Sequence, residues 1–151
     1  MNRFCFILGL TAILTGCAHR PVVPAPQTQY QVNVPPAFSK EDNEVCNQIE
    51  ENLIRASASL KQCISLNTQK FRGKTKNTDD IVTAVNYSCD KEITDFSIKI
   101  EGRSLCDMAR KKGQSFLYTM NYFEGILPGR EVQKDSIKKT IRPQIVTIAL
   151  K

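Results

Sequence analysis

Histidine is almost missing from this chain: His19 is the only one in 151 residues. That leaves no pair of imidazole ligands for a metal and no base for a His-dependent triad. There are six cysteines, but no Cys-x-x-Cys, so close-paired zinc ligation and dithiol redox catalysis both lack their motif. No Gly-x-Ser-x-Gly and no Walker loop occurs either. The carboxylate pairs Glu50-Glu51 and Asp79-Asp80 stand at surface or cap positions of expected helices, where they complement the helix dipole or aid solubility. Beyond the first residues, no apolar run approaches the ~20 residues that span a bilayer. These absences point away from an enzyme and away from a bound metal or cofactor.

The first residues form a pattern of their own. Arg3 supplies a positive charge, Phe4 to Ile13 is almost wholly apolar, and Leu14-Thr15-Gly16-Cys17 follows. A basic start, an apolar run of about 7–15 residues and small residues at the cut describe a secretory signal. The tetrapeptide resembles the lipobox of bacterial lipoproteins, Leu-x-Gly-Cys. The resemblance implies cleavage after residue 16, diacylglycerol on the Cys17 thiol and acylation of the new amine. An ordinary signal with a chance cysteine is the alternative. Multiple acyl chains hold a protein firmly where one does not. In that family Asp after the cysteine marks retention at the inner membrane; Ala18 here implies the outer membrane, with the body in the periplasm.

Loss of residues 1–16 removes one charge, Arg3, and leaves 20 basic and 15 acidic side chains, a net of +5. That excess favours anionic lipid or cell-wall polymer by long-range attraction, or serves solubility alone. Nucleic acid is not an expected partner of an exported, lipid-anchored chain. The 135 remaining residues suit one domain. Residues 17–38 carry five of the seven prolines, Pro21, Pro24, Pro26, Pro35 and Pro36, which oppose helix and central strand. This segment reads as an extended tether reaching ~60 Å, with His19 exposed in it. Tyr30, Val32 and Val34 alternate, and a strand added to a partner is the other reading.

From residue 39 to 151 the pattern is helical. Ser39 and Asp42 stand three apart at a helix start. Cys46, Ile49, Leu53, Ala56, Leu60 and Cys63 then recur at steps of three and four, one unbroken apolar seam. After a polar loop at 67–77, Ile81, Val85, Cys89, Ile93, Phe96 and Ile100 form a second stripe, continued by Leu105, Cys106 and Ala109. Asn77-Thr78-Asp79-Asp80 offers a cap, and Gly102 is a weak point where the second helix is expected to bend or break. Arg110-Lys111-Lys112-Gly113 reads as its end.

With Cys5 in the signal and Cys17 lipidated, four cysteines remain for the oxidising periplasm. Cys46 to Cys63 and Cys89 to Cys106 are both 17 positions. A disulfide within one helix is impossible at that spacing, since 17 residues span ~25 Å against the ~6 Å a disulfide needs. Crossed pairing demands parallel helices and a long connector. An antiparallel hairpin demands Cys46–Cys106 and Cys63–Cys89, and that is the prediction.

The rest is less patterned. Phe116, Met120, Phe123 and Leu127 suggest a third helix, although Phe116 to Tyr122 also alternates as a strand would. Pro128-Gly129 is a turn, residues 130–142 read as a charged helix, and Ile145 to Leu150 is an apolar tail after Pro143 that is a strand, a helical turn or a partner-binding segment. The fold class expected is mainly α, a disulfide-braced antiparallel hairpin plus a third helical segment.

Lys70, Arg72, Lys74 and Lys76 place four positive charges within seven residues at the hairpin tip, beside Phe71. They are the candidate contact for an anionic ligand, or else a solvated turn. The expected function is that of a non-enzymatic envelope lipoprotein, an adaptor or accessory subunit presenting its body to a periplasmic protein. Two alternatives stand. Tyr30-Gln-Val-Asn-Val-Pro-Pro-Ala-Phe38, Cys46 and Leu60-Lys-Gln-Cys63 resemble phage outer-membrane spanin subunits over residues 1–66. The resemblance implies docking to an inner-membrane spanin subunit and membrane fusion during lysis, although the ordered region from residue 78 onward exceeds the spanin pattern. The other alternative is an inhibitor of a periplasmic enzyme such as lysozyme, against which the shared basic charge argues.

Overall fold

The computed structural model describes residues 34–123 and 126–151. Signal and anchor residues 1–17, His19, and Tyr30 and Val32 of the expected strand lie outside them. Five helices follow in order: α1 (Lys40–Arg72), α2 (Thr78–Ser88), α3 (Asp90–Lys112), α4 (Phe116–Phe123) and α5 (Arg130–Ala149). Among the described residues the only β pairing is an isolated antiparallel bridge between Ala37 and Gln114.

Helix α1 begins where the sequence says it should. The Ser39 amide donates to Asp42 Oδ2 at 2.9 Å, and the Asp42 amide donates to Ser39 Oγ at 3.0 Å. This reciprocal box satisfies two donors that a helix start leaves free. Thirty-three residues carry α1 about 50 Å, at 1.5 Å per residue. Its seam buries Cys46, Ala56 and Leu60, then drifts to Ile64 and Thr68, because 3.6 residues per turn slowly outrun a strict heptad. Thr68 is tolerated in the core because its hydroxyl donates to the Ile64 carbonyl at 2.6 Å.

Helices α2 and α3 fold back along α1 as the return arm of a hairpin. Two disulfides lock the arms, Cys46–Cys106 and Cys63–Cys89, with Cα separations of 5.6 and 5.9 Å. The pairing is the one that equal spacing requires. Asn67 Nδ2 donates to the Cys63 carbonyl at 3.0 Å and lies 3.3 Å from Cys63 Sγ, which steadies the inner bridge.

The return arm is not one helix, and its break is not at Gly102. It comes at Cys89, whose φ and ψ are −104° and 16°. Gly102 stays helical and serves close packing instead: a Cβ there would lie 3.2 Å from Ile49 Cγ2, so Ile49 of α1 packs into the space a side chain would fill. Cys89 is cross-linked to α1, so the joint lies where the two arms are tied together. The loop at the tip is also shorter than 67–77. Helix α1 runs through Arg72, so Lys70 and Arg72 belong to its last turn, where cations complement the helix dipole.

Helix α5 closes the core against α1, α2 and α3. Ile137, Ile141 and Ile145 bury one face of it against Leu60, Ile64, Ile81, Val85 and Ile93. The charged segment and the apolar tail are therefore one helix, running through Pro143. Burial of Ile145 on the continuing stripe (137, 141, 145) outweighs the local cost of proline. The ring deletes the amide that would donate to Lys139, and that carbonyl is left on an exposed turn. Pro143→Ala should restore the bond and stabilise the protein by about 1–2 kcal/mol, after allowance for the freer unfolded chain. Urea unfolding reads this as a higher midpoint; an unchanged or lower one would mean that the proline's local geometry helps seat Ile145.

Lys134, on the same helix, is nearly buried and grips both oxygens of Asp90, at 2.9 and 3.0 Å. This hydrogen bond is the main cause that lowers the Asp90 carboxyl and raises the Lys134 ammonium from their ordinary pKa values. Asp90 is the first residue of α3, so the ion pair ties α5 to the elbow.

Candidate interaction surfaces

The hairpin has two ends, and they differ. At the far end α1 stops at Arg72 and a short loop leads to α2, capped by Asn77 Oδ1 accepting from the Asp79 amide at 3.0 Å. Lys70, Arg72, Lys74 and Lys76 are all exposed here. Among the described residues none of the four has a carboxylate within 4.0 Å. Asp79, the acid beside them, is taken up by Arg142 at 2.6 Å. Phe71 is not an outward-facing contact. It is half-buried at the edge of the core, and the Lys70 and Lys74 ammonium groups each stand 5.7 Å from its ring centroid. The ring therefore holds two of the cations in place. The amides of Lys74 and Thr75 both donate to the Phe71 carbonyl, at 2.8 and 3.2 Å. The structure thus brings the four sequence-predicted residues together at one end, two on a helix and two on a fastened loop.

At the near end the chain enters the body. Gly113, at φ +62°, closes α3 in the left-handed conformation that glycine adopts without strain. Its carbonyl accepts from the Phe38 amide at 3.0 Å, and the Ser115 amide donates to the Pro36 carbonyl at 2.7 Å. The last tether residues are therefore fastened to the body and are not part of a free spacer. Pro35 and Pro36 lack amides, so pairing here uses the Pro36 carbonyl and the Phe38 amide. Asp42 joins in: its Oδ1 accepts from the Phe116 amide at 2.9 Å, so one carboxylate caps both α1 and α4. The amides it receives, Ser39 foremost, lower its pKa although burial opposes this.

Helix α4 overturns the third stripe. Phe116, Met120, Phe123 and Leu127 do not form its buried face; the buried residue is Thr119, 1% exposed. Leu117 and Tyr122 face outward at 59% and 58% exposure, and Met120 is exposed as well. Sequence periodicity missed this because the helix has only two polar residues, Thr119 and Asn121, too few to orient it, and one of them is the buried one. Between α3, the turn at Leu127-Pro128 and α5 lies a hollow of about 360 Å³ lined by Ile100, Glu101, Leu127, Val132, Gln133 and Ile137.

Among the described residues no group of three His, Cys, Asp or Glu is placed to hold a metal ion, and no helix is long and apolar enough to cross a membrane. No protein-family model, curated protein or solved structure matches this chain.

Proposed function

We propose that the chain is a lipid-anchored envelope protein that works without catalysis, as an adaptor holding a basic docking point away from its membrane for a periplasmic protein partner. One observation carries the reading. A helix about 50 Å long, cross-linked to its return arm at two levels, has the chain's point of entry at one end and, at the other, four cations that have no carboxylate partner among the described residues. Cross-linked arms keep the two ends apart, and unpaired cations attract an acidic surface from a distance. The lipobox at Leu14–Cys17 supplies the anchor, and the outer membrane is the proposed location.

The test has two arms. Mass analysis of the protein from cell envelopes should find acyl groups on Cys17, and Cys17→Ser should release the protein from the membrane. In-cell cross-linking followed by capture should recover one stoichiometric envelope protein. Replacing Lys70, Arg72, Lys74 and Lys76 by Gln should cut that cross-link about tenfold or more, while lowering the unfolding free energy by no more than about 2 kcal/mol, because only exposed contacts with the α1 dipole and the Phe71 ring are lost. Recovery of the chain alone, or an undiminished cross-link from the Gln variant, would overturn the docking role of the tip.

A further inference from the structure

Helix α4 is inside out. It buries a threonine, whose Oγ1 finds no partner among the described residues, and it turns Leu117, Met120 and Tyr122 outward. Ile126, just beyond it, is also exposed. A short helix gains little from such an arrangement unless its outer face is covered.

Charge says by what. Between Asp107 and Glu124 the sequence has no Asp or Glu, and Arg110, Lys111 and Lys112 are present. Arg110 is engaged with Glu50 at 2.9 Å. Lys111 and Lys112 are exposed and have no carboxylate partner among the described residues. The Lys112 ammonium stands 4.8 Å from the Phe123 ring centroid and 5.7 Å from that of Tyr122. Tyr118 stacks on Tyr122 with centroids 6.4 Å apart. Tyrosines, a leucine and a methionine preceded by lysines, with no acid inside the helix itself, are the composition of a membrane interface. Of the acids near the helix, Glu101 shares a shallow hollow with Phe116 and Met120, and Asp42 is occupied by the amides of Ser39 and Phe116. Position agrees: α4 starts one residue after Ser115, where the tether is fastened.

We infer that the outer face of α4, with Lys111 and Lys112, rests on the anionic phospholipid surface of the membrane that holds the chain. The inference builds on the proposed anchor at Cys17. Leu117, Met120 and Tyr122 enter the headgroup boundary, and the two lysines meet lipid phosphates. The hairpin then stands with its basic tip pointing away from that membrane.

The chain has no tryptophan, so one introduced indole is a clean reporter. Leu117 on α4 and Leu66 near the tip are equally exposed, both at 59%, and make a matched pair. Leu117→Trp and Leu66→Trp are prepared in the full lipidated protein and reconstituted in vesicles of phosphatidylethanolamine and phosphatidylglycerol carrying brominated acyl chains. The α4 reporter should shift to the blue and lose about half its emission, as expected for a group some 5–10 Å below the surface, while the Leu66→Trp reporter keeps its emission. Flotation with the vesicles reads the anchor separately. A protein that floats but leaves Leu117→Trp unquenched overturns the inference and leaves the anchor standing. Quenching of Leu66→Trp instead overturns it in favour of the tip. A blue shift that needs no lipid and grows with protein concentration assigns the face to a second copy and overturns it. A protein that carries no acyl group and does not float overturns both.

Discussion

Replacing Cys46 and Cys106 together by Ala should cost about 3–4 kcal/mol, and replacing Cys63 and Cys89 together should cost nearly as much. The near-equality is the distinctive part. Taken singly, the bridges close loops of 60 and 26 residues, and the longer should matter more. But the inner loop lies wholly within the outer. With Cys63–Cys89 closed, the outer bridge restrains only about 34 further residues of free chain. The logarithm of loop length then differs little between them, and the entropy lost by the unfolded chain differs by only a few tenths of a kcal/mol. Removing both should cost ~7 kcal/mol, comparable with the whole stability of a small domain. Urea unfolding of the two double variants should show similar drops in midpoint, and reducing agent should unfold the native protein near ambient temperature. A drop for the outer pair more than twice that for the inner would refute the nested account.

Ile145→Ala should destabilise by about 3 kcal/mol, within the range for emptying a fully buried isoleucine site. Ile145 is 0% exposed, in the cluster that also holds Ile64, Ile81 and Ile93. Deleting three carbons there leaves a cavity between elements that are held from several sides. The two disulfides and the Asp90–Lys134 pair limit how far they can collapse into it. Ile126→Ala, by contrast, should change stability by less than about 0.5 kcal/mol, because its side chain is mostly in water. Thermal unfolding of the two variants distinguishes a sealing helix from a dispensable tail. If both changes were equally mild, the segment from Ile145 onward would not be part of the cooperative core.

The disulfide ladder could be read directly, because equal separations along two helices of known rise leave one pairing that an antiparallel hairpin can make. The Ser39 and Asn77 caps and the Gly113 stop were legible for a similar reason: each depends on a residue and its neighbours within a few positions. The cationic tip was legible as charge, although only the fold showed that Phe71 anchors it and that half of it is helical.

Three features were beyond local pattern. The break in the return arm falls at Cys89, where the chain is cross-linked to α1, while Gly102 remains helical because Ile49 of the other arm fills the space beside it. Pro143 sits inside α5 because burial of Ile145 offsets a lost backbone bond. The face that α4 turns outward is set by the bond from the Phe116 amide to Asp42 and by the seat of the tether on Ser115. Caps, seams and cross-link spacing are short-range or one-dimensional, so they can be read from order alone. Which way a short, mostly apolar helix faces, and whether burial outweighs a proline, depends on atoms brought together from distant parts of the chain, and only the tertiary structure decides it.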